Sequence, residues 1–158
     1  MQEKQKINIV WFKKDLRTKD QISLFKASQE DLPFIALYIF DEDFYQKKQF
    51  GFRKIGKFRA KFLLESVQNL QHNLAELNIP FLIKFGKTKE IFEKLNEHYS
   101  IQKIFCEEEF TQEEVDLEKS VSSVLPHVKF EKSYSQFLLE PDFVFEKLEK
   151  IPALFTTF

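Results

Sequence analysis

The chain has 158 residues, of which 43% are hydrophobic, and its formal net charge is −1. This length suits one compact domain that buries roughly two thirds of its unfolded surface and folds without disulfides. The single cysteine, Cys106, excludes an internal disulfide, and the three scattered histidines give no zinc-type ligand set. The charged amino terminus precedes only six apolar-rich residues, too few for a signal peptide or a membrane span. We therefore predict a soluble, cytoplasmic protein without a bound metal.

The apolar segment 7–12 is the first predicted strand, because it is β-branched and aromatic and runs directly into a loop of alternating charge. Asp20 follows this loop and is predicted to be the N-cap of a short helix that holds Ile22, Leu24 and Phe25. Functional residues of α/β proteins usually lie at such junctions. From these residues alone, an ordinary turn with solvated charges is an equally good interpretation.

Strands and helices alternate along most of the remaining chain. Apolar stripes beginning at Leu63, Ile91 and Leu117 predict three further helices. The last of these opens with the capping box Thr111–Glu114 and stops before Pro126. The strands between these helices are predicted at residues 34–40, 80–85, 101–106 and 127–130.

Residues 1–132 are therefore predicted to form one Rossmann-like α/β domain. Right-handed crossovers between five parallel strands produce a doubly wound sheet with helices on both faces, most simply in the order 3-2-1-4-5. Residues 138–158 lose this periodicity and contain two prolines, and we predict residues 133–158 to be an extended connector.

This strand order places the topological switch point between the first and fourth strands. Ligands of open α/β sheets bind in the crevice at this point, outside the carboxyl ends of the strands. The crevice would be walled by residues 13–17 and 107–110, with the loop after the second strand beside it. This convergence favours a functional role for the charged segments.

Two blocks of opposite charge underlie the small net charge. The stretch 47–61 has seven basic residues and no acid, with three phenylalanines interleaved, and is typical of an anion-attracting surface. The stretch 107–118 has seven acids and no base, and should repel phosphate. A solvated helix face is the commoner explanation of either block. The basic residues are Lys47, Lys48, Arg53, Lys54, Lys57, Arg59 and Lys61, and the acidic residues are Glu107, Glu108, Glu109, Glu113, Glu114, Asp116 and Glu118.

Several catalytic and nucleotide-binding motifs are absent from the sequence. With three glycines, the chain can form neither G-x-G-x-x-G nor the phosphate loop G-x-x-x-x-G-K-[ST]. It contains no G-x-S-x-G nucleophile elbow, and Cys106 lies among acids, which would raise the pKa of its thiol. Because no acid, base and nucleophile come together, we predict no catalytic residue and interpret the domain as a binding domain.

Residues Val10–Asp20, V-W-F-K-K-D-L-R-T-K-D, closely resemble the amino-terminal signature V-W-F-R-R-D-L-R-x-x-D-N of the DNA photolyase and cryptochrome family. The sequence departs from this signature at Lys13 and Lys14, where arginine is usual, and at Gln21, where asparagine is usual. The two lysines keep the charge but lose the planar fork of a guanidinium group.

The resemblance extends over the whole chain. Tyr38–Asp41 is similar to the family's second strand, which ends in aspartate, and residues 57–70 are similar to its helix R-x-x-F-L-x-E-S-L-x-x-L. Thr111–Val115 and Phe155–Phe158 resemble the DASH-type cryptochrome branch, in which an F-T-x-F-R-like segment leads out of this domain.

The resemblance implies an antenna domain joined to a helical domain, which holds FAD, binds DNA and repairs cyclobutane pyrimidine dimers with blue light. The chain stops before such a domain, so FAD, the electron relay and the flipped-out dimer would belong to the missing part. We expect this fragment alone not to be catalytic. It would hold an antenna chromophore, methenyltetrahydrofolate or a flavin. Its partners would be the carboxy-terminal helical domain and, through it, damaged DNA, but not a membrane.

The resemblance also implies roles for individual residues. A glutamate after the family's fourth strand contacts the folate ring, and Glu109 is the nearest match, with Glu108 as the alternative and Phe110 as a neighbouring candidate. Arg59 matches an arginine that lies beside deazaflavin or flavin antennas in other branches. We expect the basic block around Arg59 to attract a folate polyglutamate tail or a flavin phosphate. The residues interpreted as architecture and domain-interface charges are Lys13, Lys14, Asp15, Arg17 and Asp20.

Two alternative functions remain at this point. The parent protein could be a non-repairing cryptochrome that senses blue light. The chain could also be a stand-alone nucleotide-binding module of related fold.

Overall fold

Parallel strand pairing organises the chain in a computed structural model, which describes residues 4–46, 51, 55–137 and 139–147. Its strands are β1 (Gln5–Phe12), β2 (Phe34–Asp41), β3 (Phe81–Gly86), β4 (Tyr99–Glu107) and β5 (Lys129–Ser133). Its helices are α1 (Ile22–Ser28), α2 (Lys57–Glu76), α3 (Thr88–His98), α4 (Gln112–Val124) and α5 (Pro141–Lys147), with a short 3₁₀ helix at Glu42–Phe44.

The strands form one parallel sheet in the order β3-β2-β1-β4-β5. β1 lies at its centre, where Trp11 pairs with Leu37 of β2 on one side and Cys106 of β4 on the other. The predicted α/β class and strand order are confirmed. The switch point therefore lies between β1 and β4.

Alternate residues of β1 face two separate apolar cores. Ile7, Ile9 and Trp11 pack on the side of α3 and α4, where Phe92 meets the Trp11 ring edge-on at a centroid distance of 5.1 Å. Val10 and Phe12 pack on the opposite side with α1 and α2. Each buried large apolar side chain contributes roughly 1.5–3 kcal/mol. Burial on both faces explains why the central strands are almost continuously apolar.

The N-cap of α1 is Gln21, so the prediction that Asp20 caps this helix is wrong. Oε1 of Gln21 accepts hydrogen bonds from the backbone amides of Ser23 at 2.8 Å and Leu24 at 3.5 Å. Asp20 has a φ of +51°, a left-handed conformation that turns the chain and differs from the extended conformation of an N-cap. The longer glutamine side chain reaches the same amides from the next position.

The last described segments also differ from the prediction. β5 covers Lys129–Ser133, because its pairing with β4 starts at Lys129 and not at His127. Residues 141–147 form α5, which begins at Pro141, a favoured first position of a helix, so this part of the connector is not extended. The rest of the predicted connector beyond Lys147 lies outside the described residues. The boundary near residue 132 stays a prediction.

Candidate functional site

A crevice of about 490 Å³ opens at the carboxyl ends of β1 and β2, beside the start of α2 and the loop that follows β4. This volume is in the range of small-molecule and cofactor sites. Its aromatic lining consists of Trp11, Phe12, Tyr38, Phe40, Phe44, Tyr45 and Phe62. Its charged lining consists of Lys13, Lys14, Arg17, Asp41, Arg59, Glu109 and Glu114. The structure thus brings together the charged segments that the strand order placed at one edge.

One wall of the crevice is a chain of aromatic rings. The Tyr38 and Phe40 rings of β2 meet edge-on at 4.9 Å, and the Phe40 and Tyr45 centroids lie 6.5 Å apart. Burial raises the pKa of Tyr38 well above its ordinary value and raises that of Tyr45 as well. Both hydroxyls therefore stay protonated at neutral pH, so this wall is an uncharged aromatic surface against which a planar ring can pack.

The loop after β1 is held in a fixed shape by Asp15. This buried carboxylate accepts a hydrogen bond from the backbone amide of Lys13 at 3.0 Å and another from the side-chain amide of Gln21. The Lys13 ammonium lies 5.1 Å from the centre of the Trp11 ring, within the range of a cation–π interaction. Asp15 therefore positions Lys13, one of the cations that line the crevice, although Asp15 does not line the crevice itself.

Glu109 supplies an unusual acidic group to the crevice wall. Glu109 is 5% exposed, and its Oε1 atom is buried without a hydrogen-bond partner among the described residues. Its Oε2 atom lies 3.4 Å from the ammonium of Lys14, which also pairs with Glu114. A buried acceptor without a donor is energetically costly, so Glu109 is suited to accept a hydrogen bond from a ligand.

The neighbours of Glu109 have other contacts, and neither lines the crevice. Glu108 pairs with Lys132 at 3.1 Å. The Phe110 ring stacks on Tyr134 at 6.1 Å and meets Phe137 edge-on at 5.3 Å. Of the three candidates at this turn, the structure brings Glu109 to the crevice and directs Glu108 and Phe110 elsewhere.

Arg17 contacts the domain's own backbone, including that of Asp20. The guanidinium of Arg17 donates to the carbonyl oxygens of Asp20 and Ser135, both at 3.3 Å. These contacts connect the loop after β1 with the segment after β5. They support the interpretation of Arg17 as architecture, whereas its role at a domain interface stays a prediction.

Arg59 lies in the first turn of α2, is exposed and lines the crevice. Lys57 and Lys61 belong to the same helix and do not line it. The other members of the predicted basic block lie outside the described residues: Lys47, Lys48, Arg53 and Lys54.

Sequence reasoning missed the role of Asp41. Its Oδ2 accepts from the amide of Thr88 at 3.2 Å and from the Thr88 hydroxyl at 2.5 Å, and its Oδ1 accepts from the amide of Asp43 at 2.9 Å. The N-cap of α3, Lys87, makes no side-chain capping bond, so the Asp41 carboxylate caps α3 from β2. In the sequence, the only indication of this role is that an aspartate ends a predicted buried strand.

Glu107, the last residue of β4, is a further buried acid, and it does not line the crevice. Burial raises the pKa of its carboxyl, and this effect outweighs the hydrogen bond that Ser135 donates to it. On the same strand, burial raises the pKa of the Cys106 thiol to about 12. Cys106 is therefore an unreactive thiol at neutral pH.

Two kinds of feature are not found in the described part of the chain. No three His, Cys, Asp or Glu side chains are grouped to hold a metal ion. No helix there is long and apolar enough to cross a membrane.

Residues 8–158 match the family model described as DNA photolyase. A cryptochrome DASH of Gloeobacter violaceus is 35% identical over 152 residues, which are 95% of this chain and 30% of that protein. The blue-light photoreceptor PHR2 of Arabidopsis thaliana is 30% identical over 152 residues, again 95% of this chain and 34% of that protein. The chain thus spans about a third of the length of these relatives.

Solved structures show the same fold. The crystal structure of a cryptochrome from Synechocystis sp. PCC6803 superimposes with a TM-score of 0.89 at 28% identity, covering 100% of this chain and 33% of that one. An archaeal photolyase from Sulfolobus tokodaii, crystallised with two FAD molecules, gives a TM-score of 0.72 at 20% identity over 87% of this chain and 31% of that one.

Proposed function

The chain belongs to the DNA photolyase family, and we propose that its switch-point crevice binds an antenna chromophore of the folate or flavin type. The single observation that carries this proposal is the buried Oε1 of Glu109, which lies in the wall of an aromatic crevice and has no partner within the described ranges of the chain. A planar heterocycle with a ring N–H would supply the donor that this oxygen lacks. The uncharged aromatic wall at Tyr38 and Tyr45 can pack against the face of that heterocycle.

The residues present fit both parts of such a chromophore. Glu109 would hold the ring, and the aromatic wall would exclude water from it. Arg59 lies in the lining as a cation for a flavin phosphate or a folate polyglutamate tail. When bound, a chromophore of this class absorbs near-ultraviolet or blue light and passes the excitation energy to a second cofactor. Orienting the ring and keeping it dry would be the contribution of this domain.

We further infer that the whole protein joins this domain to a helical, FAD-binding domain and repairs cyclobutane pyrimidine dimers in DNA, in the cytoplasm. The match to the DNA photolyase family and the share of its relatives that the chain spans support this inference. A blue-light receptor without repair activity is the second candidate. It is favoured by the relatives named cryptochrome DASH and blue-light photoreceptor. Light-dependent repair of a thymine-dimer oligonucleotide by the full-length protein would separate the two functions.

Chromophore binding can be tested with the 158-residue chain. Riboflavin 5′-phosphate and methenyltetrahydrofolate would be titrated separately, and bound ligand followed by absorption and fluorescence. We expect at least one of the two to bind. Glu109→Gln should weaken that binding about tenfold, because a hydrogen bond to a charged acceptor is worth roughly 1.5–3 kcal/mol.

Glu108→Gln is the matched control for this experiment. It removes a charge one residue away, outside the crevice, and should leave the affinity unchanged. Equal losses in the two variants, or no binding of either ligand by the unmodified chain, would contradict the proposal.

A further inference from the structure

Lys14 lies between two carboxylates of the crevice wall, and one of their oxygens has no hydrogen-bond donor in the part of the chain that the structure describes. Its ammonium nitrogen is 3.4 Å from Oε2 of Glu109 and also pairs with Oε1 of Glu114. The other oxygen of Glu114, Oε2, accepts from the amide of Thr111 at 3.2 Å in the capping box of α4. Oε1 of Glu109 has no comparable donor among the described residues.

The chemistry of the lysine side chain explains this asymmetry. An ammonium group is a compact point charge, and here it is shared between two carboxylates. A guanidinium group has a planar fork that can donate to both oxygens of one carboxylate. An arginine at position 14 could therefore satisfy Oε1 and Oε2 of Glu109 together, whereas Lys14 satisfies only Oε2.

We propose that Lys14 is a positioning and specificity-determining residue, which holds Glu109 through Oε2 and reserves Oε1 for an N–H group of the ligand. The inference rests on the proposed function of the crevice. The ligand chemistry that it selects is a ring N–H beside a ring carbonyl. Flavins and folates share this chemistry, and a ligand methylated at that nitrogen lacks the donor.

The experiment compares riboflavin with 3-methylriboflavin, in which a methyl group replaces the hydrogen on N3. Dissociation constants of both are measured by fluorescence titration for the full 158-residue chain and for Lys14→Arg and Lys14→Met. Lys14 is exposed, so both variants should fold, and circular dichroism checks this. The ratio of the two constants is the readout, because a general loss of structure weakens both ligands without changing their ratio.

Lys132 offers a matched control. It also bridges two glutamates, Glu108 at 3.1 Å and Glu118 at 2.6 Å, but lies outside the crevice. Lys132→Arg and Lys132→Met should therefore keep the ratio of the unmodified chain.

We expect the unmodified chain to bind riboflavin about tenfold or more tightly than 3-methylriboflavin. Lys14→Arg should reduce this ratio to roughly one to three, because the guanidinium occupies Oε1. Lys14→Met should also reduce it, because the carboxylate is no longer held. A ratio that persists in either folded Lys14 variant would overturn the inference.

A titration with methenyltetrahydrofolate tests whether the ring N–H that Glu109 binds belongs to a folate and not to a flavin. If the chain binds this folate and not riboflavin, Lys14→Arg should weaken folate binding about tenfold relative to Lys132→Arg, and equal affinities would overturn the inference. Failure of the proposed function is a different result, in which the unmodified chain binds neither ligand.

Discussion

The carboxylate of Asp41, the last residue of β2, accepts hydrogen bonds from both the backbone amide and the hydroxyl of Thr88, the first residue of α3. Asp41 and Thr88 both line the crevice and are 5% and 2% exposed. One buried side chain therefore ends a strand, starts a helix and, through the amide of Asp43, shapes the turn that carries the aromatic residues Phe44 and Tyr45.

Asp41→Asn should destabilise the domain by about 1–3 kcal/mol, because the amide nitrogen that replaces one oxygen would face an N–H or O–H donor that this oxygen now accepts from. The free energy of unfolding in urea measures this loss. Asp43→Asn is the control, since Asp43 is exposed and only its backbone amide bonds to Asp41. Equal stability of the two variants would show that Asp41 does not cap α3.

Asp41 also illustrates how much the sequence can predict. The strand order follows from the βα alternation and from strands that are apolar on both faces, because both properties are encoded locally. The convergence of Lys14, Arg59 and Glu109 follows from that order. In contrast, Asp41 and Thr88 are 47 residues apart, and no local pattern predicts a bond between them.

The wrong N-cap prediction at Asp20 has a conformational cause that the residue types do not reveal. Aspartate and glutamine can both accept from helix amides, and the left-handed conformation of Asp20 decides between them. The choice between Glu108 and Glu109 depends on where β4 ends and on the turn that follows, and three consecutive glutamates give no local pattern that distinguishes them.

Glu107→Gln should make the domain more stable at neutral pH. The pKa of Glu107 is raised in the folded state above its ordinary value of 4.5. As pH rises through 4.5 the unfolded state releases its proton first, so stability falls until the folded carboxyl has also ionised. Glutamine removes this penalty and keeps an acceptor for the Ser135 hydroxyl.

The measurement for Glu107 is the melting temperature of both proteins between neutral and mildly acidic pH. The advantage of the variant should shrink as pH falls and vanish below 4.5, where Glu107 is protonated in both states. At neutral pH, each kcal/mol corresponds to about 2–4 °C. A variant whose advantage grows on acidification would contradict the raised pKa.

Cys106 should resist alkylation and disulfide exchange in the folded protein. It is fully buried, and this burial raises the pKa of its thiol to about 12. Reaction with a disulfide reagent at about pH 8 should therefore require unfolding. In concentrated guanidinium chloride one thiol per chain should react at once, and a similar rate without denaturant would refute the burial of this residue.

Asp15→Ala should reduce stability without abolishing chromophore binding. The substitution leaves the amide of Lys13 and the side chain of Gln21 without an acceptor, which should cost about 1–3 kcal/mol. Urea unfolding measures the loss, and ligand titration is performed well below the unfolding midpoint. If the full-length protein repairs pyrimidine dimers with FAD as proposed, repair should persist in this variant as long as the fold and FAD are retained. Loss of repair in a folded, FAD-containing variant would make Asp15 more than an architectural residue.

Arg59→Ala should weaken binding of a phosphorylated or polyglutamylated chromophore. It should leave the affinity for a chromophore without a charged tail unchanged. Because Arg59 is exposed, we expect a loss of about twofold to fivefold at low ionic strength, which salt should largely screen. Lys61→Ala is the matched control, since Lys61 pairs with Glu65 on the same helix and does not line the crevice. The titration would use riboflavin 5′-phosphate and riboflavin in parallel. An unchanged affinity for the phosphate ester at low salt would exclude Arg59 from anion binding.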